Sequence, residues 1–427
     1  MRNRAAVILA VLALGQAAAG AVFASGYSIY EQGARAMANA GAFTARADDP
    51  SAMFFNPAGI VQLKGKMFSF GTNAVLLTGS SFDSQQSNKV FAQEDNVAWP
   101  SNLYYTQSVG IRYAFGVSVT SPFGLKTEWP NTFDGRYISR ESNLAALNFN
   151  GNLAWSFART WSAAVGVDWA RADIRELSRN INLTPLGCAG CDGFTKITGD
   201  GDDIGWNIAV RWADEDGLRW GASFRSKMKP KISGDITFEN IPAPLAALFP
   251  DGGASAVLPL PATFATGVAS VHGRWESEFD VVWTDWSEFG HLRIDIEKNT
   301  SLPGPIPVVA DIDQTENWKD TYSFRLGSAY HASDAHQYRW GLYYDFNPIS
   351  KEHVRPRLPD ADRVSAQVGY GFTGKNGFTV DVAYQALYFL DRVAAGDPNS
   401  STDPVMPGEY RNFTNLLGVN LGWKFGK

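Results

Sequence analysis

The chain has 427 residues, of which 45% are hydrophobic and 13% aromatic, and its formal net charge is −6. An acidic chain without a basic stripe lacks the charge that nucleic-acid binding requires. A soluble chain of this length would more often form two or three domains, but no linker rich in Pro or Ser divides this one.

Residues 1–24 have the features of a secretory signal peptide. Two arginines lie within the first four residues, and residues 5–14 form an apolar core that is too short to cross a bilayer as a helix. Val22-Phe23-Ala24 fits a small-x-small cleavage site, so the mature chain is expected to begin at Ser25. The alternative is a short membrane anchor.

Residues 25–65 come next and differ from the rest of the chain. They are rich in Ala, Gly and polar residues, and they contain no alternating segment long enough to span a membrane. We therefore expect them to form a unit separate from the strands that follow.

Residues 66–427 alternate apolar and polar side chains in one segment after another. The last segment is the clearest, because Leu417, Val419, Leu421 and Trp423 are separated by Gly or polar residues. A period of two gives a strand two different faces. Fourteen strands are predicted, at 66–78, 101–109, 112–121, 142–157, 161–178, 202–213, 218–233, 261–272, 276–295, 319–332, 337–347, 362–373, 377–390 and 411–425.

The connections between these strands alternate between tight turns and long loops, which is typical of an outer-membrane barrel. An even strand number closes the ring and leaves no unpaired edge in lipid. The sequence therefore predicts an all-β fold, a 14-stranded antiparallel transmembrane β-barrel over residues 66–427. Because the lumen of such a barrel is either water-filled or closed, residues 25–65 are predicted to be a plug, or hatch, inside it.

Two loops contain residues of possible functional interest. Cys188 and Cys191 are the two cysteines, and in an exported protein they favour a small disulfide at a loop tip. A redox-active pair and a zinc site are alternatives with less support. In the long loop 234–260 a short helical turn is predicted to have an apolar face and to form part of an entrance groove, although these residues would also suit an ordinary loop core. That face consists of Ile241, Leu245, Leu248 and Phe249.

Enzymatic function has little support in the sequence. There are five His, no Gly-x-Ser-x-Gly is present, and the carboxylates show no recognisable pairing. No cofactor and no metal are expected. A passive porin would share the barrel but would have no plug of forty residues, and an adhesin or phage-receptor role for the loops remains compatible with transport.

Seven motifs occur in order along the mature chain. They are SGYSIYEQ at 25–32, GAF to NPAG at 41–59, SPFGLKT with GRY at 121–137, LPAT at 260–263, WTDWSEF at 283–289, Asp320 with Arg325-Leu326-Gly327, and LPDADR at 358–363. With these motifs on a fourteen-strand pattern, the chain resembles the FadL-type outer-membrane transporters. That family takes up long-chain fatty acids and, in a TodX-like branch, aromatic hydrocarbons.

The resemblance implies transport without chemistry by a monomer surrounded by outer-membrane lipid and lipopolysaccharide. A hydrophobic ligand would settle in a groove among the extracellular loops and move to a pocket beside the N-terminus of the plug. It would then leave sideways into the membrane near a kinked strand three. A long-chain fatty acid is the expected ligand; an aromatic hydrocarbon or a less selective porin activity is the alternative.

The matched motifs also imply roles for single residues. Tyr27 is expected to contact ligand, in place of the Phe expected from the family, and the pocket would be slightly more polar as a result. Asn56-Pro57-Ala58 is expected to hold a turn that positions the plug against strand three, either as a purely structural turn or with direct ligand contact. Gly26 is expected to be a further plug or gating residue. Trp283 and Trp286 are expected to face opposite sides of one strand, one in an aromatic girdle and the other in the lumen, with the choice depending on register.

Charged residues within the motifs are expected to pair with one another and fix the loops or plug. Arg325 is the preferred anchor for a ligand carboxylate, because a guanidinium suits that geometry. The other motif residues with expected structural roles are Gly124, Arg136, Asp320, Pro359, Asp360, Asp362 and Arg363.

Overall fold

A computed structural model describes residues 26–302, 306–400 and 404–425. The expected signal peptide, residues 1–24, and Ser25 lie outside these described residues. Residues 26–65 precede the first long strand and are called the N-terminal segment below.

Fourteen long antiparallel strands follow one another around a ring. They are β1 (Lys66–Leu77), β2 (Ser101–Val109), β3 (Tyr113–Glu128), β4 (Glu141–Ser156), β5 (Trp161–Asn182), β6 (Asp192–Ala213), β7 (Leu218–Arg225), β8 (Thr263–His272), β9 (Trp275–Thr284), β10 (Thr321–His331), β11 (His336–Asp345), β12 (Arg363–Thr373), β13 (Phe378–Phe389) and β14 (Phe413–Phe425). The ring closes where β14 pairs with β1, from Lys66↔Phe425 to Leu76↔Asn415. The predicted 14-stranded barrel is therefore confirmed.

The two faces of the wall differ in the way that a period of two requires. On β5, Val165 and Val167 are exposed on the outer face, while Asp168 and Ala170 are buried on the inner face. An apolar outer band suits hydrocarbon, and closing the ring pairs the backbone groups that lipid cannot hydrogen-bond. The short turns lie at one end, which is the periplasmic end in such barrels, and the long loops at the other.

Two predicted strands were too long. The strand predicted at 218–233 ends at Arg225, where its ladders with both neighbours stop, and a separate strand begins at Lys231, directly after Pro230. The strand predicted at 276–295 ends at Thr284, where the 3-10 turn Trp286–Glu288 interrupts it.

Shorter strands extend the barrel beyond its long-loop end. Lys231–Glu239 pairs with the upper part of β6 and starts a sheet that continues outward. The strands of that sheet after the first are Gly252–Val257, His291–Ile296 and Ile312–Thr315. A second sheet combines Ser81–Ser84, Val90–Ala92, Arg392–Ala394 and Gly408–Arg411, Thr300–Leu302 pairs with Ile306–Val309, and Asn96–Ala98 pairs with β1.

Helices are few and short. The N-terminal segment contains α1 (Ala34–Met37), α2 (Ala52–Phe55) and the 3-10 helix Pro57–Gln62. The loops contain the 3-10 helices Asp134–Tyr137, Thr184–Leu186 and Ala243–Leu248. Within the described residues, no helix is both long and apolar enough to cross a membrane.

The N-terminal segment lies against the inner face of the wall. Inward-facing glycines of three neighbouring strands touch its backbone or Cβ atoms so closely that a side chain at any of them would collide with Asn39, Ala40 or Ala38. These glycines are Gly327, Gly341 and Gly369. Their lack of a side chain lets the segment pack directly on the sheet.

The carboxylates of β9 hold the middle of the segment. Asp280 accepts hydrogen bonds from the backbone N–H groups of Phe43 (2.9 Å) and Thr44 (3.0 Å). Glu278 accepts from the backbone of Ala45 at 2.5 Å and forms an ion pair with Arg46 at 2.9 Å. Because this ion pair is buried, removing either partner would leave an uncompensated charge, at a cost of about 3–5 kcal/mol.

We expect deletion of residues 26–58 to open the lumen, because the polar inner face would then be solvated. The measurement is ion conductance in a planar bilayer, with the intact chain as the reference and heat-modifiable gel mobility as the check that the barrel has folded. A folded deletion variant that conducts no more than the intact chain would show that the segment does not close the lumen.

Candidate ligand site and wall opening

The wall is interrupted between β2 and β3. Their ladder runs from Val109↔Tyr113 to Leu103↔Val119 and then stops, although β3 continues to Glu128. On its other side, the register of β3 with β4 shifts between Thr120 and Phe123. Pro122 lies in this shift and has no N–H to offer a neighbouring strand. The upper half of β3 therefore lacks β2 as a partner.

The start of the N-terminal segment takes the place of β2. Ser28 and Phe123 form an antiparallel bridge, the N–H of Ile29 donates to the carbonyl of Pro122 (2.8 Å), and the N–H of Gly124 donates to the carbonyl of Tyr27 (3.0 Å). The side chain of Gln32 adds two hydrogen bonds to the backbone of Ser121. The opening is thus covered by a segment that is not part of the barrel.

Gly26 is held at the front of this segment by two charged residues. Its N–H donates to Asp360 (2.9 Å), and Arg363 donates to its carbonyl (3.0 Å) while also pairing with Asp360 (2.9 Å). Gly26 has a φ of 52°, and a Cβ there would lie 2.7 Å from atoms of both Trp286 and Trp318. Glycine is needed here for both its conformation and its size.

Tyr27 is buried in a cluster of aromatic rings. Its ring centroid lies 4.8 Å from that of Trp286, 5.8 Å from Trp318 and 6.3 Å from Phe289. Its hydroxyl donates to the carbonyl of Pro259. Edge-to-face contacts of this kind stabilise by about 0.5–1.5 kcal/mol per pair beyond the area they bury.

A cavity of about 800 Å³ lies beside Tyr27 and extends through the wall. On the lumen side it is bounded by Tyr27, Asp360 and Leu416. On the other side it is lined by Phe70 and Leu147, which are exposed on the lipid-facing surface of β1 and β4. The cavity is mainly apolar, and it has the size of a pocket for a single small-molecule ligand.

A smaller groove of about 110 Å³ lies among the extracellular strands. Its wall is mostly aliphatic and aromatic, with Ile138, Ile236, Phe249, Ile294 and Val309 among the lining residues. Groove and cavity lie at consecutive levels of β4, because residues 141–142 line the groove and residues 143–145 line the cavity.

Two arginines, Arg179 and Arg357, line this mainly apolar groove together with Glu141, and Arg357 lies 3.8 Å from Glu316. Arg357 is bonded to Gln314 (3.0 Å), and burial lowers its pKa to about 10, with Arg179 as one of the nearby charges. The guanidinium of Arg179 has no hydrogen-bond or ion-pair partner among the residues the structure describes. An unpaired guanidinium in an aliphatic groove is suited to an anionic group.

The model of the protein family described as "Outer membrane protein transport protein (OMPP1/FadL/TodX)" matches residues 10–425 of this chain. The chain belongs to this family. It is accordingly an outer-membrane protein.

Two relatives illustrate the similarity. The "Long-chain fatty acid transport protein" of Escherichia coli (strain K12) is 26% identical to this chain over 384 residues, which cover 79% of this chain and 82% of that protein. "Outer membrane protein P1" of Haemophilus influenzae is 22% identical, with coverage of 96% and 97%.

Two solved structures share the fold. One is a FadL homologue of Pseudomonas aeruginosa, with a TM-score of 0.77, 18% identity, and coverage of 95% of this chain and 100% of that one. The other is the toluene transporter TodX of P. putida, with a TM-score of 0.75, 15% identity, and coverage of 93% and 100%.

The structure places two of the expected ligand-binding residues away from both spaces. Trp283 is on the outer face of β9 opposite Tyr322, so its expected ligand contact is wrong, and it is Trp286, in the turn after β9, that faces inward. Arg325 is buried beneath the segment, where it donates to the carbonyl of Ala40 (2.9 Å) and stacks on Tyr30 (4.1 Å). Because these contacts engage its guanidinium, it is not positioned to anchor a ligand.

The Asn56-Pro57-Ala58 turn forms its hydrogen bonds to the wall with β5 and β6. Asn56 accepts from the N–H of Ala58 (3.0 Å) and donates to the carbonyl of Val210 on β6 (3.1 Å). The hydroxyl of Ser162 on β5 donates to the carbonyl of Ala58 (2.8 Å). The turn thus fixes the segment to β5 and β6, and the 3-10 helix that it begins also contacts β3, the strand against which it was expected to lie.

In the loop 234–260, only Phe249 of the four predicted apolar residues lines the groove. Ile241, Leu245 and Leu248 are half-buried and pack against the adjoining hydrophobic core. The predicted helical turn is present as the 3-10 helix Ala243–Leu248. For the three residues outside the groove, the alternative of an ordinary loop core is the one that the structure supports.

The remaining motif residues fix loops and strands. Arg136 pairs with Asp192 (3.1 Å), Asp320 accepts from the N–H of Ser287 (3.1 Å), and Asp362 accepts from Asn347. The carbonyl of Pro359 accepts from Asn412 (2.9 Å). Cys188 and Cys191 form a disulfide at the tip of the β5–β6 hairpin.

Sequence reasoning missed the two groove arginines. On β5, Arg171 and Arg175 face outward, and simple alternation places Arg179 on that same face. The register between β5 and β6 shifts between Ile174 and Leu177, which turns the later side chains toward the groove. Such a bulge leaves no signal in a pattern of period two.

We expect Gly26→Val to detach the start of the N-terminal segment, because the added side chain would collide with the two tryptophans. Hydrogen exchange at residues 26–32 should speed up by roughly fivefold or more, as strain of about 1–3 kcal/mol shifts the opening equilibrium. The matched control is Gly110→Val, since Gly110 also has a positive φ (62°) but faces open space. Equal exchange in the two variants would contradict the packing argument.

Proposed function

We propose that this protein is a passive outer-membrane transporter of hydrophobic compounds, most specifically of long-chain fatty acids. The observation that supports this function most directly is the cavity that runs from Tyr27 to the lipid-facing side chains of β1 and β4. A compound in that cavity already contacts both the lumen and the membrane side of the wall. Movement along it requires no catalytic group.

The proposed route has two stages. The ligand first enters the aliphatic groove and then passes down β4 to the larger cavity. Burial contributes ~0.8 kcal/mol per methylene group, so ten methylenes would give ~8 kcal/mol without any chemistry. Release follows when residues 26–29 leave β3. The ligand then exits sideways between β2 and β3 into the bilayer. The barrel is proposed to be a monomer, so that lipid rather than another subunit lies outside this opening.

A fatty acid rather than a hydrocarbon is favoured by the unpaired guanidinium of Arg179 in the groove. Arg179 has no partner in the described structure, and a carboxylate could accept its hydrogen bonds while the acyl chain contacts the isoleucines. One relative is a long-chain fatty acid transport protein, and one structure of the same fold is a toluene transporter.

An aromatic hydrocarbon is the second candidate. The cluster of Tyr27, Trp286, Trp318 and Phe289 would suit an aromatic ring if the segment moved. Such a ligand needs no anion partner, so the two candidates differ in whether Arg179 matters.

We expect Arg179→Gln to weaken oleate binding by roughly 10- to 100-fold, as expected for the loss of a hydrogen bond to a charged group. Binding of methyl oleate and of toluene should not change. Tryptophan fluorescence of the purified barrel provides the measurement. Arg293→Gln is the matched control, because Arg293 is an exposed extracellular arginine paired with Asp313. Tight toluene binding without oleate binding would favour the hydrocarbon.

We expect a disulfide between Ser28→Cys and Phe123→Cys to stop uptake, because these cross-strand partners would be locked together. Reduction should restore uptake, and the parent treated with the same reductant controls for the native disulfide. A second control is the pair Ser277→Cys and Ser328→Cys, which are cross-strand partners on the outer face of β9 and β10. Unchanged uptake by the locked variant would refute release between β2 and β3.

A further inference from the structure

Trp286 has a buried hydrogen-bond donor without an acceptor. Three tryptophans are buried in the described part of the chain. The indole of Trp129 donates to the carbonyl of Pro356 (2.9 Å), and that of Trp318 donates to Glu316 (3.1 Å). Nε1 of Trp286 has no partner among residues 26–302, 306–400 and 404–425. Buried donors are normally satisfied, so this one requires an explanation.

The unpaired N–H lies on the edge of the indole that faces the start of the N-terminal segment. A Cβ on Gly26 would be 2.7 Å from Cζ2 of Trp286, and Cζ2 is bonded to the ring carbon that carries Nε1. The ring of Tyr27 meets the same indole edge-on at 4.8 Å. Gly26 thus packs against the part of the indole edge next to the donor, Tyr27 packs on the same ring, and both residues also line the cavity.

We propose that Nε1 of Trp286 is the receptor for the polar oxygen of a ligand in the inner pocket. This inference rests on the proposed function, in which residues 26–29 move. When they move, the indole edge that carries Cζ2, next to Nε1, is uncovered, and a carboxylate or hydroxyl oxygen of the ligand accepts the hydrogen bond of the N–H. The protein thereby distinguishes oxygen-bearing amphiphiles from pure hydrocarbons at a second point after the groove.

The experiment compares dodecanoate, dodecanol and dodecane as competitors for a fluorescent fatty-acid probe bound to the full barrel. For Trp286→Phe, we expect the affinities of dodecanoate and dodecanol to fall by roughly 3- to 10-fold, as loss of one hydrogen bond predicts. The affinity for dodecane should stay within error. Trp318→Phe is the matched control, because it removes the same atoms from the same cluster. It should change all three affinities by one common factor.

Equal losses for all three ligands in Trp286→Phe would overturn the inference, because they would indicate packing alone. Unchanged affinities for all three would overturn it as well. Replacement of Trp286 by 3-benzothienylalanine keeps the ring shape without the N–H, so it provides the answer if the Phe variant does not fold. If the parent barrel bound none of the three ligands, the transport proposal would fail, and this inference with it.

Discussion

Every backbone N–H and C=O group inside a bilayer must find a partner within the protein, and the rest of this structure depends on that constraint. Fourteen strands satisfy it by closing a ring. The exception is the upper part of β3, where Pro122 and a register shift separate it from β2. There the backbone of residues 27–29 provides the missing partner. A defect in the wall and a covering segment are therefore two parts of one feature.

The N-terminal segment is attached by different interactions along its length. In its middle, the buried ion pair of Arg46 and Glu278 would cost about 3–5 kcal/mol to break by removing one partner. At its start, hydrogen bonds join it to β3 and to the charged pair Asp360 and Arg363, and Tyr27 packs among aromatic rings. Movement of residues 26–29 would therefore break several hydrogen bonds and ring contacts, but it would leave the buried ion pair intact.

Much of the barrel could be predicted from the sequence because a strand between lipid and lumen must alternate. The strand number and the closing pair of β1 and β14 follow from that periodicity. The irregular positions could not be predicted in this way. Trp286 lies in a turn rather than on β9, and the bulge in β5 turns Arg179 inward, so neither follows a period of two. Arg325 is on the expected inner face, but its partners come from residues almost 300 positions earlier in the chain.

The glycines on β10, β11 and β12 give that part of the wall little freedom to change. Gly327, Gly341 and Gly369 press against the N-terminal segment, so almost any substitution there would displace it. The side chains around the opening in β1 to β4 contact no such fixed partner on their lipid side. Substitutions on the lipid side of β1 to β4 can therefore reshape the opening without displacing the segment, whereas substitutions at these three glycines cannot leave it in place.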